Sequence, residues 1–318
     1  MKKFVSNINR QFHDARIWGQ GSFMHVCFES VGCRFRKQGY CLMCDYGIGK
    51  NVDCNKAVAI LEDAVGKWPQ HVDRLLLGTC GSILDQAEMS RETLGVILKS
   101  VAKMNVAHVL LETHYTTIDE EVLNFIRNAL PNKETYIEMG FESANPKVLQ
   151  KSFRKYMDLS KLKKSIEMIS GHGIHTILNV FLGAPFLSEQ QQIDDTYMSI
   201  KWALENGAAE VVVFPANIKP GTEMWEMYKN GNYNRISHKE VIWLLSRLNE
   251  QELERVSISW YGDRQNAGID MDILPPIIPD GFNETLVNFY QDFMTNFNGA
   301  YRINLIKQMK EKLEATSH

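Results

Sequence analysis

Three cysteines, Cys33, Cys41 and Cys44, fall within the segment "VGCRFRKQGYCLMCDYG" (31–47) and make up half of the six in the chain. Thiols so close in sequence act as metal ligands or redox partners. A closed structural zinc site takes four protein ligands, so here the fourth would have to come from Cys27, Cys54 or a histidine. A [4Fe–4S] cluster usually takes four thiolates. With three, one iron keeps a position for a ligand that is not protein. Cys41 and Cys44 form a C-x-x-C pair, and Gly39 allows a sharp bend just before it. The triplet alone is compatible with a cluster, a zinc knuckle, a redox pair or mere proximity.

Other residues able to do chemistry lie at the ends of short apolar runs. These runs are "FMHVCF" (23–28), "RLLLGT" (74–79), "HVLLET" (108–113), "TYIEMGFES" (135–143), "IHTILNVFLG" (174–183) and "AEVVVFPA" (209–216). Each is rich in strand formers and each is followed by an amphipathic stretch. The helix-like stretches are 55–68, 90–104 with Ser90 as N-cap, 118–130, one from Pro146, one over 159–169, 189–207 ended by Gly207, and 222–231. Six β-then-α units imply a parallel sheet with helices outside it. The crossover rule leaves an open doubly wound sheet or a barrel. The expected α/β fold is a partial (β/α)6 TIM-type barrel, since a closed eight-stranded one needs two more units. Residues 1–235 are expected to form this barrel, with a cysteine loop at 28–50. Residues 236–318 are expected to form an α-rich C-terminal extension capping it: a helix at 238–252, a strand within "RVSISW" (255–260), a proline-rich link and terminal helices.

In such sheets the active site lies at the C-terminal ends of the strands. That rule selects Gly81 and Ser82 after the second strand, and Glu112 and His114 after the third. It also selects Glu142 after the fourth, Asn179 in the fifth, and Asn217 and Lys219 after the sixth. Glu112 and His114 share a face, because alternate residues of a strand point the same way. They suit substrate binding or proton transfer, with a local ion pair as the plain alternative. Asn179 sits in an apolar strand, where a buried amide must find partners. Cys27, Cys54 and Cys80 are scattered and read as small buried hydrophobes. Trp260 and Tyr261 read as core aromatics or as a cap on the open side of the barrel.

Composition narrows the class. The chain has 318 residues, 44% of them hydrophobic and 23% charged, which suits a globular protein with a sizeable core. A net charge of −3 argues against general binding to nucleic acid, although Arg34, Arg36 and Lys37 form a local basic patch. There is no apolar run long enough to span a membrane. No secretory signal is read in "MKKFVSNINRQFHDARIW". Few, unevenly spaced cysteines in a long chain point to a reduced, cytoplasmic setting.

A three-cysteine loop after the first strand of a partial barrel resembles the radical S-adenosylmethionine (SAM) enzymes. The common family spacing is C-x3-C-x2-C; here it is C-x7-C-x2-C, as in longer-loop branches. "LLLGTCGSILDQAEMS" is similar to the second-strand segment of those branches, "IEMGFESANPKVLQKSFRK" to the fourth and "LNVFLGAPFLSEQQQIDDTYMSI" to the fifth. With "FPANIKPGTEMWEMYKNGNY", the segments most resemble the radical SAM enzymes of archaeosine biosynthesis and the elongator-type group beside them, over roughly residues 20–250.

The resemblance implies a [4Fe–4S] cluster on Cys33, Cys41 and Cys44, with SAM chelating the open iron. It implies that Gly81 and Ser82 meet the SAM amino group and that Glu142 contacts SAM. Arg154 or Lys155 would meet the SAM carboxylate or ribose, Asn179 the ribose, and the backbone at Gly183 the adenine. Met43 stands where much of the family has an aromatic residue, and Tyr46 is the expected substitute. Reductive cleavage of SAM would give a 5′-deoxyadenosyl radical that abstracts hydrogen from substrate. A low-potential donor such as flavodoxin or ferredoxin is implied. With no RNA-binding module visible and a slightly acidic chain, the expected substrate is a small biosynthetic metabolite, nucleoside-like in character. A tRNA nucleoside undergoing C–N cleavage is the second expectation. A zinc-stabilised binding protein without catalysis is the rival from another class.

Overall fold

The computed structural model describes residues 16–18, 21–45, 49–66, 72–79, 81–259 and 273–315. Tyr46, Cys80, Trp260 and Tyr261 lie outside the described residues. Eight strands form one sheet in chain order. They are β1 (Arg16–Trp18), β2 (Gly21–Phe28), β3 (Val72–Thr79), β4 (Val106–Thr113), β5 (Glu134–Glu142), β6 (His175–Leu182), β7 (Glu210–Pro215) and β8 (Val256–Ile258). β1 is antiparallel to β2. The seven strands β2 to β8 form a curled half-barrel with helices in the crossovers. Chain order follows from the crossover rule: each helix returns the chain to the edge just formed.

The strands read as continuous apolar runs because both faces are covered. In β3, Leu75 and Leu77 are fully buried on one face, and Leu76 is buried on the other. The helices carry the caps that their sequences call for. Ser90 accepts from Thr93 N at 3.1 Å, and Ser188 closes a capping box with Gln191 on the helix Glu189–Glu205. Gly207 takes the left-handed φ of 94° that turns the chain out of that helix.

Four features differ from the sequence reading. The six units gain a seventh parallel strand, β8, within the expected segment 255–260. β1 adds an antiparallel strand that only three residues build. The single helix expected over 238–252 is two, His238–Leu245 and Glu250–Leu253, because Asn249 and Glu252 form a capping box that starts a new helix. The helix expected from Pro146 runs only to Val148 and passes into a π-helical turn, Leu149–Phe153.

The chain divides into two compact units. The first comprises residues 1–40, 46–140 and 158–177, and the second residues 41–45, 141–157 and 178–318. In the second, Arg302 is fully buried and donates to the carbonyls of Leu253, Val256, Phe293 and Asn296. Its guanidinium lies between the Phe293 and Phe297 rings, at 4.0 and 4.2 Å from their centroids. A buried cation needs such partners. They tie the terminal helix Gly299–Ala315 to the segment leading into β8. No helix among the described residues is long and apolar enough to cross a membrane.

Candidate cluster and cofactor site

In the first unit, Cys33 caps the four-residue helix Arg34–Lys37. Two side chains fasten that helix. Arg34 donates to Thr116 Oγ1 at 2.8 Å and pairs with Asp85 at 3.4 Å, and Phe35 lies against His114 with ring centroids 4.3 Å apart. So Arg34, from the basic patch, is engaged within the fold. His114 also accepts from Thr116 N at Nδ1, which caps the short helix Tyr115–Thr117. These contacts give His114 a positioning task at the start of the cysteine loop.

Ser82 lies at the end of β3, as expected, and is buried. Its hydroxyl bonds Thr113 Oγ1 at 2.6 Å and accepts from His114 N at 3.0 Å. Beside it, Gly81 is obligatory for space. A Cβ there would stand 2.6 Å from Glu88 Oε2 and 2.8 Å from Cys33 Cβ. Glu88 escaped the sequence reading. It is 2% exposed, and burial pushes its pKa upward against the pull of its hydrogen bonds. Ser30 Oγ and Thr79 Oγ1 each donate to its Oε2 at 2.9 Å, and Ser82 N donates to its Oε1 at 3.1 Å.

Glu112 stands opposite Glu138 in the β4–β5 register, so the two side chains share a face. Gly78 makes room for Glu112, since a Cβ at Gly78 would stand 2.6 Å from Glu112 Oε2 and 3.2 Å from His25 Nε2. This face of the sheet carries ionisable groups in place of the usual apolar filling.

In the second unit, Cys41 and Cys44 close a tight turn, with Cys44 N donating to Cys41 O at 2.8 Å. Leu42 between them donates to Phe153 O and accepts from Met224 N, both at 3.2 Å. Asp45 follows at once and pairs with Lys219 at 2.8 Å. Cys41, Glu142 and Arg154 have φ of 57°, 65° and 50°, the left-handed region that side chains avoid. Such backbone persists only where its surroundings impose it, and it gathers at functional sites. The π-helical turn before Arg154 is another such mark.

Of the two basic candidates, Lys155 is buried and pairs with Glu142, with side-chain exposures of 9% and 14%. Arg154 pairs with Glu223 at the surface. Asn179 is half-buried in β6. Gly183 has φ of 112°, and a Cβ on it would stand 2.6 Å from Ala216 Cβ. Its carbonyl accepts from Tyr233 at 2.8 Å. Asn217 is buried and donates to Pro215 O at 2.9 Å, while its Oδ1 has no hydrogen-bond partner among the described residues.

Cys27, Cys33, Cys41, Cys44 and Cys54 are half-buried. Among the described residues, no three His, Cys, Asp or Glu side chains are gathered closely enough to hold a single metal ion.

No family model matches the chain. A curated relative, archaeosine synthase subunit beta of Methanosarcina acetivorans, is 28% identical over 225 residues, which are 67% of this chain and 63% of the relative. The chain thus spans about three fifths of the length of the curated relatives it matches. Two solved structures share the fold. Methylornithine synthase has a TM-score of 0.55 at 12% identity, over 76% of this chain and 64% of that one. Elp3 of Methanocaldococcus infernus has a TM-score of 0.54 at 14% identity, over 85% of this chain and 63% of that one. The likeness to these two structures shows the fold. The strand ends that the sequence selected carry Ser82, Glu112 and Glu142, and the cysteine loop follows the first parallel strand, β2.

Proposed function

We propose that the chain is a radical SAM enzyme in which Cys33, Cys41 and Cys44 hold a [4Fe–4S] cluster. When bound, the cluster and SAM supply a one-electron reductive cleavage that yields a 5′-deoxyadenosyl radical. The observation that supports this most is backbone strain. Cys41, Glu142 and Arg154, all selected from the sequence, are three of the four described non-glycine residues with left-handed φ. The residues also fit the ligands. Three thiols leave an iron open, and the buried Oδ1 of Asn217 is an acceptor awaiting a donor.

In this reading Gly81 and Ser82 admit the SAM amino group, and Lys155, held by Glu142, meets its carboxylate or ribose. Asn179 and the Gly183 backbone face the nucleoside; Tyr46, the candidate for the adenine, lies outside the described residues. Glu112 binds substrate or moves a proton, and His114 fixes the cysteine loop near it. The substrate is a small, nucleoside-like metabolite, and the ionisable groups His25, Glu112 and Glu138 suit a polar one. The electron donor is a low-potential flavodoxin or ferredoxin, and the setting is cytoplasmic. Similarity to archaeosine synthase subunit beta favours a second reading, a tRNA nucleoside.

Anaerobic reconstitution tests the proposal. The expected protein is brown, holds about four irons per chain, and makes 5′-deoxyadenosine from SAM and dithionite. Cys41→Ala should lose both colour and product. A colourless protein containing zinc and no iron would refute the enzyme. Stimulation of SAM cleavage by tRNA rather than by small-molecule extract would replace the first substrate with the second.

A further inference from the structure

We infer that Glu88 is a positioning residue that locks the start of the cysteine loop to the strand end that receives the SAM amino group. The inference rests on the radical SAM reading above. Three segments converge on one carboxylate. Ser30 belongs to the link from β2 into the loop, Thr79 ends β3, and Ser82 supplies the backbone N–H of the expected amino-group position. The Ser30 hydroxyl also accepts from Gly32 N at 3.1 Å, one residue before Cys33. The chain of contacts therefore runs from Gly32 through Ser30 and Glu88 to Ser82. All four side chains are buried: Ser30 at 0%, Thr79 at 1%, Glu88 at 2% and Ser82 at 4% exposure. Gly81 completes the lock, since any side chain there would strike both Glu88 and Cys33.

The geometry decides what can stand in for the carboxylate. It receives two hydroxyl protons on one oxygen and an amide proton on the other. The hydroxyls can rotate and accept instead, but the Ser82 N–H can only donate. Glutamine therefore fits the same place: its Oε1 takes the amide and its NH₂ donates to Ser30 and Thr79. Aspartate keeps the charge but lacks a methylene, so it cannot hold Ser30 and Ser82 together.

The test uses the full chain, anaerobically reconstituted. It measures iron content, the SAM dissociation constant, and the change that SAM produces in the electron paramagnetic resonance signal of the reduced cluster. Glu88→Asp should keep its iron but bind SAM at least about tenfold more weakly and lose the SAM-induced change of signal. Glu88→Gln should bind SAM within about threefold of wild type and keep that change. Ser30→Ala, a milder cut at the loop side alone, should fall between them. Wild-type affinity and signal in both Glu88→Asp and Ser30→Ala would overturn the inference, as would failure of Glu88→Gln to rescue a weakened Glu88→Asp. Wild-type protein that takes up no iron would instead overturn the radical SAM reading itself.

Discussion

Lys219 Nζ sits 2.8 Å from Asp45 Oδ1, and Asp45 directly follows Cys44. The two side chains are 18% and 14% exposed. This pair fixes the end of the cysteine loop to the segment after β7. Lys219→Met should leave a mostly buried carboxylate without its cation and cost roughly 1–3 kcal/mol of stability. The reconstituted variant should also surrender iron to a chelator faster than wild type, while Asp45→Asn paired with Lys219→Met recovers part of the loss.

Adjacent basic residues should behave differently. Lys155 and Glu142 form a mostly buried ion pair, so Lys155→Met should destabilise the protein by roughly 3 kcal/mol in urea unfolding, because a buried charge loses its partner. The Arg154–Glu223 pair is about half exposed, and Arg154→Met should cost under about 1 kcal/mol. SAM affinity should fall far more in the first variant than in the second.

Asp195 gives a pH signature. Burial pushes its carboxyl up to about 6, against a hydrogen bond from Ser143 at 3.0 Å, and its other oxygen has no hydrogen-bond partner among the described residues. A folded-state value above the unfolded one of about 3.9 means the folded form holds the proton more tightly. Its contribution is therefore fully present below pH 4 and lost as pH rises through 6. Asp195→Asn keeps the bond to Ser143 without the charge. Relative to wild type it should gain about 1 kcal/mol between pH 5 and pH 8, after allowance for partial exposure. Paired thermal melts at the two pH values measure this.

Asn217 separates folding from binding. Asn217→Ala removes the bond to Pro215, at a cost of about 1 kcal/mol in the protein without ligand. If Oδ1 receives a donor from the bound nucleotide, the rise in Tm that SAM produces in wild type should shrink in the variant by more than that loss explains. An equal rise in both would remove Asn217 from the binding surface.

The strands were legible because burial on both faces writes each one as an unbroken apolar run, and β3 and β4 begin only two residues before the stretches read from the sequence. β1 and β8 were harder, since three residues carry no period. The strand-end rule predicts positions, and Ser82, Glu112 and Glu142 do stand at or just after strand ends, where topology alone puts them. It could not find Glu88, a glutamate among polar neighbours that is held by hydroxyls nine and fifty-eight positions away. The hydroxyls themselves, Ser30 and Thr79 at the ends of two apolar runs, were the one available signal. Nor could it choose between Arg154 and Lys155, because the π-helical turn that sends one outward and the other inward leaves no pattern in composition. The pairing of Asp45 with Lys219 spans 174 positions and is likewise invisible to any local reading.

That widened turn, Leu149–Phe153, holds one residue more than a regular helical winding would use. Each residue of an α-helix advances the chain by about 100°. A one-residue deletion inside 149–153 would tighten the coil, swing the Lys155 ammonium away from Glu142, and put a side chain of different character in its place. Sequence drift elsewhere on the surface can be absorbed, but chain length between Pro146 and Lys155 is fixed to the residue.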